Sequence, residues 1–210
     1  MVRASAHQGK KKPADRYHHG DLRRALIDEA LRTVQVQGVG HLTLRTIGRR
    51  LGVSRSALYR HFADKQTLLA AVGSEGFRML RRVIADSWER HGRGRAGFEA
   101  MGRAYVRFAI AHPSHYRVMF GGFVESATKD QDFSSEARAA FQILVDAIVD
   151  QQDAALFRRD DPVLMARFTW ALVHGISMLA IDGQVREAGQ REAVEQYAID
   201  RLRASLEAAT

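Results

Sequence analysis

The sequence predicts an all-α fold of about nine helices, a small three-helix unit followed by a larger helical one. Three observations carry that reading. Apolar residues recur at spacings of three and four, with no convincing run of period-two alternation. The 210 residues hold only three prolines, Pro13, Pro113 and Pro162, each beside an expected boundary. Between them, glycines and short polar residues fall where helices would stop and start. A length of 210 residues suits one large domain or a small domain followed by a larger one. Hydrophobic residues at 46% and charged residues at 27% exclude wholesale disorder and collagen-like structure.

The elements follow in order. Residues 1–16 are Gly-, Ser-, Lys- and His-rich and read as a disordered basic arm rather than a secretory signal, because no apolar run follows the charges. Its alternatives are a solvated tail and a DNA-contacting arm. Leu22, Ala25, Leu26, Ala30 and Val34 then form the stripe of a first helix that Gly38 and Gly40 end. Thr43 caps a second helix carrying Leu44, Ile47 and Leu51, and Gly52 ends it. Ser54 caps a short third helix, Arg55 to Phe62. Asp64 caps a long fourth helix through Leu68, Leu69, Val72, Phe77, Leu80 and Ile84 to about Trp88. Gly92, Gly94 and Gly97 read as a flexible break. Further helices are expected over Phe98–Ala111, Ser114–Phe120, Phe133–Phe157, Pro162–Ile181 and Gln190–Leu206, with Asp160-Asp161 as the cap before Pro162. The domain boundaries expected are 1–16 for the arm, 17–66 for the helix-turn-helix unit and 67–210 for the rest.

Charge is distributed unevenly along the chain. Residues 1–65 carry 14 Lys/Arg against 5 Asp/Glu, a balance of +9, while residues 66–210 carry 18 against 19. The whole excess of +8 therefore sits in the first third. A basic module on a neutral body points to one surface made for a polyanion, nucleic acid or anionic lipid.

Within that third, the second helix, Gly52-Val53-Ser54 and the third helix make a helix-turn-helix pattern. Gly52 supplies the positive φ of the sharp turn. Val53 plugs the crevice between the helices, and Gly48 permits their close approach. Leu58 and Phe62 face inward, with Ser56 and Arg60 opposite. The small residues of Ser54-Arg55-Ser56-Ala57 allow deep entry into a major groove, where Arg55 can pair bidentately with guanine. Tyr59 and His61 suit phosphate oxygens. Thr43 and Lys65 lie at helix starts, whose free N–H groups attract phosphate.

The run from Thr43 to Lys65, with its tail Leu58-Tyr59-x-His61-Phe62-x-x-Lys65, resembles the DNA-binding domain of the tetracycline-repressor (TetR) family over residues 20–75. Tyr17-His18-His19-Gly20-Asp21-Leu22-Arg23 resembles a subset of that family. The resemblance implies a homodimer, a C-terminal ligand-sensing domain and usually repression. By position it implies DNA contacts at Thr43, Arg45, Ser54, Arg55, Ser56, Ala57, Tyr59, His61 and Lys65. Gly48 stands where the family commonly has Ala, and Ser56-Ala57 where many members have Gly-Thr, so operator preference does not carry over. Two later stretches resemble one subgroup of the family's regulatory domains. The first is Met101 to Pro113 followed by Tyr116-Arg117-Val118-Met119-Phe120, and the second is Trp170-Ala171-Leu172-Val173-His174-Gly175. The resemblance implies a cavity and a dimer interface built by the helices near 162–181 and 190–206, as a four-helix bundle.

Tyr105, Phe108, Met119, Phe120, Phe123, Trp170 and His174 are candidates to line that cavity, since aromatic and Met walls suit a small apolar effector. Aromatic stripes at helical spacing equally fill an ordinary core. His174, four residues after Trp170, equally reads as a satisfied core or interface histidine.

Zero cysteines exclude a disulfide scaffold, a thiolate nucleophile and a zinc finger, and are consistent with the cytoplasm. His18-His19, His112 and His115 lack metal-ligand spacing, so no metal or other cofactor is expected. No nucleophile elbow, phosphate loop or dinucleotide fingerprint points to an enzyme, and no catalytic residue is assigned. The apolar stretch Phe168–Ile181 is too short and polar to span a bilayer, so no membrane partner is expected. The expected function is a homodimeric repressor that binds a palindromic double-stranded DNA operator and is released by a small effector. The alternatives are an activator or effector-independent DNA binder, and a helical enzyme or lipid-surface protein using the same basic patch.

Overall fold

The computed structural model describes residues 19–124, 131–185 and 187–207, and the regular elements among them are all helical. In chain order they form α1 (His19–Gln37), a single 3-10 turn (Val39–His41), α2 (Leu44–Arg50), α3 (Arg55–Tyr59), α4 (Lys65–Arg90) and α5 (Arg95–Ala111). Then come α6 (Pro113–Phe120), α7 (Gln131–Asp153), α8 (Pro162–Ile181) and α9 (Ala188–Leu206). Among these residues the only extended pairing is an isolated antiparallel bridge between Phe157 and Glu207. The expected arm, with Tyr17 and His18, lies outside the described residues.

The starts of α2, α3, α4 and α8 are fixed by side-chain caps. Thr43 Oγ1 accepts the Thr46 amide at 3.1 Å, Ser54 Oγ the Ala57 amide at 3.2 Å, and Asp64 Oδ1 the Thr67 amide at 2.7 Å. Asp161 Oδ1 accepts from both Val163 and Leu164. Each cap satisfies amides that have no partner inside the helix and contributes about 1 kcal/mol.

Two apolar clusters organise the packing. Leu22, Leu26, Ile27, Ala30 and Val34 of α1 bury against Leu44, Ile47, Leu58 and Phe62, and Leu68, Leu69 and Val72 of α4 join them. Residues 66 and 67 fall inside the continuous α4, whose first two turns pack with α1–α3. Beyond Val72, α4 becomes the axis of a second cluster, with Phe77, Leu80, Ile84 and Trp88 against α5, α6 and α7, while α8 packs on α5 and α7. Val118 of α6 packs into the first cluster, while Tyr116 and Met119 of the same helix pack into the second.

Four local expectations change. Helix α3 stops at Tyr59 instead of Phe62, because His61 N turns to the Leu58 carbonyl in a tight final turn. Phe62 nevertheless stays buried. Gly97 is not a break: it lies inside α5, where a Cβ would stand 3.0 Å from the Trp88 ring. Helix α7 ends at Asp153 rather than running to Phe157, because Ala155 takes the left-handed conformation (φ 54°) that ordinarily favours glycine. Counted from Pro162, α8 is twenty residues with a window of mean hydropathy 1.4, long and apolar enough to cross a membrane. The expectation from Phe168–Ile181 alone missed Val163, Leu164, Met165 and Ala166. Met165, Ala166, Thr169, Val173 and Ile176 face the protein interior, and about a third of the helix is buried.

Candidate functional site

Helices α2 and α3 meet across Gly52, whose φ of 66° makes the turn the sequence required. Gly48 lets the helices close: a Cβ there would stand 2.7 Å from Leu58 Cδ1. The outer face carries Thr43, Arg45, Ser54, Arg55 and Ser56, all exposed, with Tyr59 at 52% exposure and Ala57 half-buried. An exposed tyrosine on so short a helix leaves its ring and hydroxyl open to a partner.

The polar groups on this face are not equally free. Thr43 Oγ1, besides capping α2, donates to Thr46 Oγ1 at 2.8 Å. Ser54 Oγ caps α3 and lies 3.1 Å from Ser56 Oγ. These hydroxyls shape the helix starts first. Lys65 is half-buried and donates to the Val39 carbonyl at 3.0 Å, which ties the start of α4 to the turn after α1 and leaves two N–H donors. His61 is half-buried. Arg45 and Arg55 make no ion pair among the described residues, and neither do Arg49 and Arg60. Sequence reasoning did not assign a site role to those last two. Their signal was the local charge excess, which gives no direction to individual side chains. Arg50 is different: it bonds Glu29 at 3.0 Å and Thr33 at 3.1 Å, locking α2 to α1.

The second feature is a cavity of about 300 Å³ between α4, α5, α6, α7 and α8. Tyr105, Met119, Phe120 and Trp170 line it, as expected, and Phe77, Phe133, Phe141 and Thr169 contribute further wall. Phe108, Phe123 and His174 do not. Phe108 is buried in the core, Phe123 is 40% exposed, and His174 sits behind the wall. The α7 residues escaped sequence reasoning because an amphipathic stripe does not say whether its apolar face meets a neighbour or a void.

Behind the wall runs a chain of hydrogen bonds. Trp170 Nε1 donates to Tyr105 Oη at 3.0 Å, Tyr105 and Tyr116 share a bond of 2.9 Å, and Tyr116 Oη lies 2.6 Å from His174 Nδ1. Burial holds His174 below its ordinary pKa and so favours the neutral ring, in which one nitrogen donates and the other accepts. Tyr105 Oη also lies 3.3 Å from His174 Nδ1, and with Nδ1 as the acceptor the order Trp170 to Tyr105 to Tyr116 to His174 satisfies every group. Burial also pushes the Tyr105 hydroxyl up to about 12 and that of Tyr116 higher, so both stay protonated donors.

A third cluster joins the two features. Arg24 of α1 donates to both Glu75 carboxylate oxygens, at 2.8 and 2.7 Å, and also pairs with Asp28. His115 of α6 lies 3.3 Å from Glu75 Oε1, and since a carboxylate only accepts, His115 Nε2 carries the proton. His115, and then Arg24, pull the Glu75 pKa down to about 2 against the opposing effect of burial.

Comparisons with known proteins agree with this architecture. The family description "Bacterial regulatory proteins, tetR family" matches residues 26–72, and "Tetracyclin repressor-like, C-terminal domain" matches residues 98–202, half of the chain. The chain belongs to the TetR family. A solved structure, a protein of unknown function from Rhodococcus sp. RHA1, is 32% identical, with a TM-score of 0.81 over 93% of this chain and all of that one. A second, a bacterial regulatory protein of the TetR family from Rhodococcus RHA1, shares the fold at 18% identity, with a TM-score of 0.71 over 90% of this chain and 98% of that one. The HTH-type transcriptional regulator BetI of Burkholderia thailandensis is 33% identical over 92 residues. That match takes in 43% of this chain and 44% of the relative's length. The TetR family consists of transcriptional regulators, which places the exposed α2–α3 face where such proteins carry their helix-turn-helix.

Proposed function

We propose that this TetR-family chain is a homodimeric repressor that reads a palindromic DNA operator with α3 and lets go when a small, mostly apolar molecule fills the cavity. One observation carries the reading: an exposed helix-turn-helix face rich in unpaired arginines is joined, through one continuous helix, to a body with an aromatic-walled cavity. Arg55 reads base edges, Arg45, Tyr59, His61 and Lys65 hold phosphates, and Thr43, Ser54, Ser56 and Ala57 set the helix starts against the backbone. The division of labour follows the chain: a basic arm over 1–16, DNA reading over 17–66, sensing and dimerisation over 67–210. Such a protein works in the cytoplasm, where chromosomal DNA is accessible.

Dimerisation through α8 and α9 is supported by the outer face of α8, where Leu164 and Phe168 are 64% and 53% exposed beside Ala171 and Leu179. A contiguous apolar face of that kind marks an interaction surface. The two α3 helices would then enter successive major grooves about 34–36 Å apart. Release follows from α6, which touches the α1–α3 cluster through Val118 and walls the cavity through Met119 and Phe120. A ligand that binds one arrangement of α6 and α4 more tightly than the other shifts the spacing of the two recognition helices.

The test is binding of the purified protein to DNA from upstream of its own gene against random DNA, across a salt series. Specific binding with two chains per site is expected. Arg55→Ala should cost specific binding by about 1–3 kcal/mol and leave random DNA unchanged. Equal losses on both DNAs would remove the base-reading role of Arg55, and no binding to either DNA at low salt would overturn the whole reading.

A further inference from the structure

The cavity wall specifies more than apolarity. Among the described residues, no Asp, Glu, Lys, Arg or His side chain is part of it. A charged ligand group placed there would lose its hydration with no counter-charge in return. The aromatic rings of Phe77, Phe120, Phe133, Phe141 and Trp170 come from four different helices and offer faces and edges to a ring system. Ordinary water gains little from such walls, and apolar cavities of this kind take up organic molecules instead.

The polar groups on the wall divide into spent and unspent ones. The Trp170 N–H is spent on Tyr105, and the Tyr105 and Tyr116 hydroxyls are engaged with each other and with His174 Nδ1. Thr169 is different. It is 4% exposed, it lines the cavity, and among the described residues its hydroxyl has no hydrogen-bond partner. The neighbouring Ser177 on the same helix donates back to the Val173 carbonyl at 2.7 Å, the usual way a buried helical hydroxyl satisfies itself. Thr169 makes no such bond. A buried hydroxyl without a partner is costly to the fold and rare.

We infer that the cavity binds an uncharged, ring-bearing molecule carrying a single hydroxyl or carbonyl oxygen, and that Thr169 is the residue that recognises that oxygen. Phenols, alicyclic alcohols and ketones belong to this class; carboxylates, phosphates and ammonium compounds do not. The oxygen takes up the bond that Thr169 lacks, while the aromatic walls hold the rings. This inference gives a chemical class to the effector of the function proposed above, and rests on that reading only for the effector's regulatory consequence.

Calorimetric titration with three probes of one ring system tests it: 2-naphthol, naphthalene and 2-naphthoate at pH 7. The naphthol should bind about three- to tenfold more tightly than naphthalene, the worth of one net hydrogen bond. The naphthoate should bind about a hundredfold more weakly than the naphthol. Thr169→Val, which keeps shape and removes the hydroxyl, should abolish the preference for naphthol over naphthalene, and Thr169→Ser should keep it. Thr169→Val should also melt at or above the temperature of the parent protein, since it removes an unsatisfied group. Tight naphthoate binding, a naphthol preference that survives in Thr169→Val, or binding of none of the three probes overturns the inference. The regulatory reading is judged separately, on the bound DNA. Naphthol that binds as expected without weakening the complex with the upstream fragment removes the effector role and leaves the ligand class standing.

Discussion

At the scale of single residues, most side chains that shape the helix-turn-helix do so by satisfying backbone groups, and that work can be measured apart from DNA binding. Asp64 is the clearest case. Its carboxylate accepts from the Thr67 amide at 2.7 Å and from the Thr67 hydroxyl at 2.9 Å, and these bonds hold its pKa below the usual value. Asp64→Ala should therefore lower stability by about 0.5–2 kcal/mol in urea unfolding at neutral pH, and Asp64→Asn by less. The sign with pH follows from the depressed pKa. The unfolded chain takes up the proton first as pH falls, so the cap's charged contribution is complete above about pH 4 and is lost below it. Lys65 gives a different separation. One of its donors is fixed on Val39, so Lys65→Ala should move the urea midpoint as well as weaken DNA binding. If its remaining donors meet a phosphate, the weakening is uniform across sequences and the salt slope falls by about 1. A changed midpoint with an unchanged slope would make Lys65 purely a strut.

At the scale of elements, α6 is the helix through which the two clusters feel each other, and the Arg24–Glu75–His115 group ties it to α1 and α4. A glycine makes that tie close: a Cβ on Gly76 would stand 2.9 Å from Met119 Cγ and 3.3 Å from His115 Cβ. Replacing Glu75 by Gln leaves Arg24 and His115 without their carboxylate, and should cost about 1–3 kcal/mol at pH 7, read from urea unfolding. The Glu75 pKa of about 2 lies below its ordinary 4.5, so the charged contribution is present above pH 4.5 and is lost as pH falls toward 2. The parent protein should lose stability more steeply over that window than Glu75→Gln, and parallel curves would show that the cluster is not coupled to folding. These elements differ in how plainly the sequence announced them. The starts of α2, α3, α4 and α8 were legible because Thr43, Ser54, Asp64 and Asp161 combine a short polar acceptor with an apolar stripe behind it. The end of α7 was not, because Ala155 is a good helix former that nonetheless takes a left-handed turn, after which the Leu156 and Phe157 amides close on the Gln151 carbonyl. The cavity was legible only in part. Tyr105, Met119, Phe120 and Trp170 stood out as aromatic or Met positions, but Thr169 looked like any helical threonine, and its missing bond exists only in three dimensions.

At the scale of the whole molecule, the decisive question is what covers the outer face of α8. The helix is apolar on both sides: Met165, Val173 and Ile176 enter the core, while Leu164, Phe168 and Leu179 point outward. In the dimer proposed here those outward residues meet their mates, and the two basic modules are held at a fixed distance. Linking two weak DNA-reading units in this way raises affinity by about a hundredfold to ten-thousandfold without any new DNA contact. Phe168→Asp should therefore act at a distance. Its side chain is half exposed within one chain, so the fold should survive, with a helical circular dichroism spectrum like that of the parent. Light scattering should show one chain where the parent shows two, because a carboxylate buried opposite its symmetry mate is unpaired and repelled. Operator affinity should drop by about a hundredfold or more, while the residual salt slope per chain should stay that of a single module, since every phosphate contact is intact. A dimeric Phe168→Asp protein with full affinity would mean that the two recognition helices are paired by some other surface, and that the apolar face of α8 serves a different partner.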